Sequence, residues 1–233
     1  MNRRRAAESP ELAAAYRAAG FVDDAERWTI PIPGSANIAA DTVARIARSE
    51  RANHPALIFE DDDGNETRFS FAELDERANR LASQFAGLGV VAGQPVGIHL
   101  DQRPETAIVH LAIYKVGAIA CTMSQLYGPD TLHHILTDTG MRLIFTREPN
   151  AALQGAIGRL AETEFPVPRL VQSGTEFERL IAGGDPDFAP VATSADSQRC
   201  SCTRAVPLAG RKACFTRIGF CTRTCRRRSC STT

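Results

Sequence analysis

The stretch that decides the fold is "PVGIHLDQRPETAIVHLAIYKVGAIACTM", Pro95–Met123. Pro95–Leu100 is apolar like a buried strand, Pro104–Val116 has the apolar spacing of a helix, and Ala118–Met123 is again strand-like. A strand, a helix of about 10 to 15 residues and a second strand are typical of a right-handed crossover between parallel strands. The stretch therefore predicts an α/β fold.

The same alternation continues on the C-terminal side of this stretch. A helix is predicted at Pro129–Asp138, a strand at Arg142–Thr146 and a further helix at Asn150–Glu162. We therefore expect an incomplete, mostly parallel sheet with flanking helices.

On the N-terminal side, a hairpin precedes the parallel strands. "PALIFE" and "ETRFSF" flank the acidic turn "DDDGN", in which Gly64 and Asn65 tolerate a positive φ. Asp61, Asp63 and Asn65 are spaced like the first ligands of a calcium loop, but the glycine and the glutamate that such a loop requires are missing. We therefore expect a solvated turn.

An amphipathic helix follows the hairpin. Ser70 and Glu73 have the spacing of a capping box, and apolar residues then recur at helical intervals in "SFAELDERANRLASQFAGLG". The glycines in "GLGVVAG" follow a helix and open a strand, which is the reverse of a dinucleotide-binding loop and excludes that motif. A further helix is predicted at Asn37–Arg51, after an irregular arm formed by residues 1–36.

The histidines and the body cysteine do not identify a reaction. His133 and His134 are adjacent on a helix, so they point about 100° apart and cannot chelate one metal together. His99 ends a strand and His110 lies within a helix, and no nucleophile-elbow motif accompanies either. Cys121, in an apolar strand, is expected to be a packed thiol. We therefore assign no catalytic, cofactor-binding or metal-binding residue.

The N-terminus and the most apolar window disfavour secretion and a membrane span. Met1–Gly20 is basic at first but lacks the apolar core of a signal peptide. The window Ala107–Met123 contains His110 and Lys115, which is unfavourable in a bilayer. We expect a cytoplasmic protein without a membrane span.

The last part of the chain differs in composition from the rest. The formal net charge is zero, with 27 Lys and Arg against 27 Asp and Glu, yet nine of the basic residues and no acidic residue follow Asp196. The body therefore carries 18 minus 27, or −9, and the tail carries +9. Six of the seven cysteines also lie in the tail, between Cys200 and Cys230. Two compositions thus meet near Ser197.

Three kinds of site could account for a basic, cysteine-rich tail. Zinc binding is disfavoured because no CxxC pair is present and no histidine follows His134. A disulfide framework needs an oxidising compartment, which the N-terminus does not indicate. Nucleic-acid binding fits the charge, but only Phe215 and Phe220 could stack on bases and no recognition motif is present.

Two segments of the body carry a family resemblance. "FSFAELDERANRLA", Phe69–Ala82, resembles the first core signature of the AMP-forming acyl-CoA synthetases, in the adenylate-forming enzyme superfamily. "IYKVGAIACTMSQLYGPD", Ile113–Asp130, resembles the second, and its "LYGPD" ending is similar to short- and medium-chain members. Cys121, Thr122 and Met123 stand where the family usually has a Val-Pro-Leu run.

This resemblance implies a fold, an activity and a set of substrates. The fold is the N-terminal part of the adenylate-forming fold, with a partial AMP-binding domain at residues 37–196. The activity is activation of a carboxylate with ATP and Mg²⁺ to an acyl-adenylate, followed by transfer of the acyl group to CoA. The family's phosphate loop, rich in Ser, Thr and Gly and ending in Pro-Lys-Gly, should begin near Ser197 and is absent. ATP, Mg²⁺ and CoA are thus implied for the intact family member, and none of them is assigned to this chain.

A change of reading frame explains both the missing loop and the unusual tail. Codons read one base out of step from Cys202 to Ala213 permit the string YTSGSTGRPKG, which resembles the family's phosphate loop. The same frame permits PALLM across Ser197–Cys202 and VLHAHR across Ala213–Gly219. We therefore predict one missing base, or two extra, near the codon of Ser197, and a disordered tail at residues 197–233.

The expected protein is then a truncated and inactive acyl-CoA synthetase. A parallel sheet without its later strands exposes an edge, which favours aggregation or capture by chaperones. The alternative is a non-enzymatic α/β domain whose basic, cysteine-rich tail binds nucleic acid or metal.

Overall fold

The computed structural model describes residues 14, 22–24, 27–29, 35–193, 198–202 and 214–217. The chain divides into two compact units, residues 1–34 and 35–233. In the first unit, β1 (Val22–Asp24) and β2 (Arg27–Thr29) form an antiparallel hairpin. This differs from the irregular arm that we predicted, because strands of three residues are too short to show an alternating pattern in the sequence.

The second unit begins with a short helix and a hairpin. Helix α1 is a π-helical turn at Ala40–Ala44 that continues as an α-helical turn at Arg45–Ala47, so it is shorter than the helix predicted for this segment. Strands β3 (Pro55–Glu60) and β4 (Glu66–Ser70) pair antiparallel as predicted. Their connecting turn contains Gly64 with φ 81°.

Helix α2 (Phe71–Gln84) begins with the predicted capping box. Ser70 Oγ accepts a hydrogen bond from the backbone N–H of Glu73 at 3.2 Å, and Glu73 Oε2 accepts one from the backbone N–H of Ser70 at 2.8 Å. The hydrogen bonds from Ser70 hold the pKa of Glu73 below its ordinary value. The first family-like segment therefore works as a helix start in this chain.

Helix α3 (Pro104–Val116) packs against α2 and shares a buried ion pair with it. Lys115 Nζ lies 2.6 Å from Asp75 Oδ1, and the two side chains are 0% and 9% exposed. Burial lowers the pKa of Lys115, while the hydrogen bond and the charge of Asp75 oppose that shift. Because an unpaired charge is costly in an apolar interface, each partner requires the other.

Six strands of the described chain form one sheet: β5 (Pro95–His99), β6 (Ile119–Thr122), β7 (Leu143–Thr146), β8 (Arg169–Gln172), β9 (Gln198–Cys202) and β10 (Cys214–Arg217). Their order is β10-β9-β6-β5-β7-β8. Every neighbouring pair is parallel except β9 and β10, which are antiparallel. The predicted α/β fold with a mostly parallel sheet is confirmed.

Helices cover both faces of this sheet. One apolar core joins α2, α3 and α6 (Thr175–Ala182) to sheet residues that include Ile98 and Phe145. The other joins α4 (Pro129–Thr139) and α5 (Ala151–Ala161) to residues that include Cys121 and Ile144. The alternation of Ile144 and Phe145 between the two cores follows from the two-residue period of a strand.

Two segments of the tail differ from the disorder that we predicted. β9 pairs in parallel with β6, with Cys200 opposite Ala120, and β10 pairs antiparallel with β9. The edge of β6 would otherwise present unpaired N–H and C=O groups, and such an edge pairs with extended segments of many sequences. The rest of residues 197–233 lies outside the described residues, so its disorder stays a prediction.

Candidate functional site

The strand order creates a crevice at the carboxyl ends of β5 and β7. These two strands are neighbours, but the crossover from β5 runs to β6 on one side and the crossover from β7 runs to β8 on the other. The connecting helices α3 and α5 lie on opposite faces of the sheet. Open α/β sheets bind ligands at such a switch in strand order, outside the carboxyl ends of the strands. His99 and Thr146, which pair across β5 and β7, end at this point.

His99 is the buried centre of the crevice. Its Nδ1 atom lies 3.3 Å from Thr146 Oγ1 and 3.2 Å from Gln125 Nε2. Gln125 Nε2 also donates to the carbonyl oxygen of His99, so the amide nitrogen faces the ring and Nδ1 accepts. The proton of the neutral ring therefore sits on Nε2, which has no hydrogen-bond partner among the described residues. Burial lowers the pKa of His99, which favours this neutral ring.

Gln125 and Asn150 connect the crevice to helix α5. Asn150 Nδ2 donates to the carbonyl oxygen of Gln125 at 3.3 Å, and Asn150 Oδ1 accepts from the backbone N–H of Leu153 at 2.9 Å. Asn150 is thus the N-cap of α5 and also a contact of the loop after β6. The N-terminus of α5 faces the same edge of the sheet as His99.

An open cleft of about 330 Å³ lies beside the crevice. Arg103 and Arg147 each approach Asp101 Oδ2 at 3.4 Å, and the guanidinium of Arg103 lies 5.8 Å from the centre of the Phe59 ring. The opposite wall is the acidic turn after β3, which includes Asp61. The cleft is polar and contains both charges, so it could orient a polar ligand.

The acidic turn directs its leading carboxylate to its own backbone. Asp61 Oδ1 accepts from the backbone N–H groups of Asp63 and Asn65, at 3.0 and 2.8 Å, and Asp61 Oδ2 accepts from Asn65 Nδ2. These hydrogen bonds, with the Asn65 side chain first, hold the pKa of Asp61 below its ordinary value. Within the described ranges, no three His, Cys, Asp or Glu side chains are grouped so that they could hold a metal.

The other residues considered from the sequence lie in packed surroundings. His110 Nδ1 is 2.7 Å from the carbonyl oxygen of Thr106 and its Nε2 is 3.1 Å from Thr122 Oγ1, and burial lowers its pKa. His133 and His134 are partly buried on α4, and Cys121 is a buried thiol. Of the four histidines, only His99 lies at the crevice.

Sequence reasoning missed Thr146, Gln125, Asn150 and Arg147 as a group. Each of them closely follows or ends a strand of the parallel sheet, and that position was the available indication. The strand order decides which of these ends meet, and no local pattern in the sequence specifies that order.

The sequence matches a known family over most of the described residues. The profile of the family described as "AMP-binding enzyme" matches residues 43–198, more than half of the chain. The acetyl-coenzyme A synthetase of Rhodobacter capsulatus is 33% identical over 117 residues, which is 49% of this chain and 18% of that protein. Phosphinothricin tripeptide synthetase PhsC of Streptomyces viridochromogenes is 37% identical over 125 residues, 54% of this chain and 11% of that protein. The chain therefore spans less than a fifth of the length of these curated relatives.

A solved structure shares the fold. The acyl-CoA synthetase of Brucella canis superposes with a TM-score of 0.68 at 20% identity, covering 93% of this chain and 38% of that one. In the part of the chain that the structure describes, no helix has both the length and the apolar character needed to cross a bilayer. The fold, the parallel sheet and the profile match agree, and the chain belongs to the AMP-binding enzyme family.

Proposed function

We propose that this chain is the N-terminal part of an AMP-forming acyl-CoA synthetase. The observation that carries the proposal is the family match over residues 43–198, together with relatives that are acetyl-coenzyme A synthetases. The intact protein would activate a carboxylate with ATP and Mg²⁺ to an acyl-adenylate and pass the acyl group to CoA. Acetate is the first substrate to test, because it is the one that the names of these relatives imply.

The described residues do not by themselves fit this chemistry. A phosphate site needs backbone amides, hydroxyls and a cation arranged around the polyphosphate, and Mg²⁺ needs carboxylate oxygens that are not already engaged. Among the described residues, Asp61 is occupied by its own turn and Asp101 by two arginines. We therefore derive no catalytic step from them, and we propose that the chain as it stands is inactive.

We further propose that the phosphate loop of the intact protein belongs between β9 and β10. The out-of-step string YTSGSTGRPKG spans Cys202–Ala213, and β9 ends at Cys202 while β10 begins at Cys214. Because β9 is parallel to β6 and β6 to β5, the carboxyl end of β9 lies at the same edge of the sheet as His99. A loop in this place would face the ligand edge, which supports a frameshift near Ser197.

The gene and two expressed proteins test this proposal. We expect that restoring one base near the Ser197 codon opens a long frame beyond the loop string. The restored protein should release pyrophosphate with ATP, Mg²⁺ and acetate and form acetyl-CoA, and the 233-residue chain serves as its matched control without activity. Acyl-CoA formation by the 233-residue chain, or early closure of the restored frame, would contradict the proposal.

The second candidate is a non-enzymatic domain whose tail binds nucleic acid. The observation that favours it is the tail itself, with nine basic residues and no acidic one after Asp196. Binding through phosphate contacts would weaken steeply with salt. A gel-shift assay on the full chain, compared with the variant Arg226→Gln/Arg227→Gln/Arg228→Gln, decides it: equal or absent binding removes this candidate.

A further inference from the structure

The segment 183–193, called the strap here, runs from the end of α6 across helix α2. Gly184 lies so close to α2 that a Cβ atom placed on it would be 2.0 Å from the carbonyl oxygen of Arg80. Arg80 donates to the Gly184 carbonyl at 3.0 Å, and Asn79 Nδ2 donates to the Pro186 carbonyl at 2.7 Å. The backbone N–H of Asp185 donates to Ser83 Oγ at 2.8 Å. The first half of the strap is therefore fixed by side chains of α2.

The second half of the strap is fixed at the C-terminus of α3. The backbone N–H of Val191 donates to the carbonyl oxygen of Lys115 at 2.7 Å. Thr193 pairs with Ala36 through two hydrogen bonds, one from the Ala36 N–H to the Thr193 carbonyl at 2.8 Å and one from Thr193 Oγ1 to the Ala36 carbonyl. The strap thus meets the segment that begins the second unit of the chain.

Asn37 joins these segments with a single side chain. Its Oδ1 atom accepts from the backbone N–H groups of Ala39 and Ala40, at 3.1 and 3.3 Å, which caps the helical segment containing α1. Its Nδ2 atom donates to the carbonyl oxygens of Tyr114 at 2.7 Å and Val191 at 2.9 Å. Asn37 is 6% exposed, so these bonds form away from solvent.

The amide of Asn37 suits this place because it offers acceptors and donors at once. The last carbonyl oxygens of a helix lack partners within the helix, and Asn37 supplies one for α3 while it caps the next helical segment. An aspartate at this position would keep the acceptor but would have no N–H to offer and would place a carboxylate against carbonyl oxygens. The capping role and the bridging role can therefore be separated by one substitution.

The strap leads directly to the strand that completes the ligand edge. β9 begins at Gln198, a few residues after Thr193, and pairs with β6. A Cβ atom on Gly117, which precedes β6, would lie 3.1 Å from Thr193 Cγ2, so the end of the strap lies beside the start of β6. We propose that Asn37 is a positioning residue that holds the end of the strap against α3 and so sets the approach of β9 to β6. Its importance for nucleotide binding rests on the proposed function, since β9 would lead into the phosphate loop of the intact protein.

Amide hydrogen exchange on the full chain tests this inference without any assay of activity. Asn37→Asp should accelerate exchange at residues 189–193 and 198–202 by about tenfold, because it removes two buried donors while it keeps the cap. Exchange in α4, α5, β7 and β8 should not change. Asn150→Asp is the matched control, since Asn150 also caps a helix but lies outside the strap, and it should leave residues 189–202 unchanged.

A second variant keeps the inference testable if Asn37→Asp does not fold. Thr193→Val removes the hydroxyl that donates to Ala36 while it preserves the shape of the side chain, and it should accelerate exchange at the same residues by a smaller factor. Unchanged exchange at residues 189–202 in these variants, or equal acceleration throughout the chain, would overturn the inference. Failure of the restored protein to make acyl-CoA would contradict the proposed function and would leave these exchange results unaffected.

Discussion

Gly97 lies in the middle of β5, where the sheet has no room for a side chain. A Cβ atom there would lie 2.7 Å from Met141 Sδ and 2.9 Å from both Ile144 Cγ1 and Met123 Cε. These atoms belong to the core between the sheet and helices α4 and α5. The glycine therefore lets the second apolar core close over the central strand.

Gly97→Ala should lower the free energy of unfolding by about 1–3 kcal/mol, because a close-packed core must shift to admit the methyl group. Urea denaturation of the two proteins measures this loss. Gly158→Ala is the matched control: Gly158 is exposed on α5 with open space around it, so that change should raise the free energy of unfolding by about 0.5–1 kcal/mol. A Gly97→Ala protein as stable as the parent would show that the methionines move aside without cost.

His99 should make the stability of the protein depend on pH. Burial holds its pKa below the ordinary 6.5 in the folded chain, so the unfolded chain binds more protons once the pH falls below that value. Stability is therefore fully present above pH 6.5 and is lost as the pH falls further. His99→Gln should reduce the slope of unfolding free energy against pH between about pH 7 and pH 5.

Thr146→Val is the control for this pH experiment. It removes the hydroxyl beside Nδ1 but leaves the buried ring, so the slope should persist. His110, whose pKa burial also lowers, should account for part of the slope that remains after His99→Gln. An unchanged slope in His99→Gln would show that His99 takes up its proton without loss of stability.

At the scale of elements, the interface of α2 and α3 depends on the pair Asp75 and Lys115. Lys115→Met should lower the free energy of unfolding by about 3–5 kcal/mol, because it leaves a carboxylate buried without its partner. The double variant Asp75→Leu/Lys115→Met should recover most of that loss. Urea denaturation of the two single variants and the double variant forms a double-mutant cycle, and additive losses would contradict the coupling.

The sequence predicted the elements whose ends have local chemical markers. The capping box of Ser70 and Glu73 gave the start of α2, and Pro104 and Gly117 gave the limits of α3, where Gly117 adopts φ 78°. Strand β8 and helix α6 were not predicted, since four and eight residues are too few for a clear period. The π-helical turn of α1 has no local marker either, because its geometry depends on the contacts around Asn37.

At the scale of the whole molecule, the sequence predicted the fold class but not the position of the tail strands. Alternating strands and helices imply a parallel sheet whatever the details of each residue. The pairing of β9 with β6 depends on a vacant sheet edge, which follows from the strand order and not from the residues of β9. The candidate site was missed for the same reason, since His99, Gln125 and Asn150 come together only through that order.

The pairing of Ala36 with Thr193 has a consequence for the architecture of the protein. The two residues are 157 positions apart in the chain and yet are joined by hydrogen bonds. The sheet and its helices therefore begin and end at one point of their surface. Domains with adjoining ends tolerate circular permutation and insertion into other proteins, so residues 36–193 have the arrangement of an insertable module.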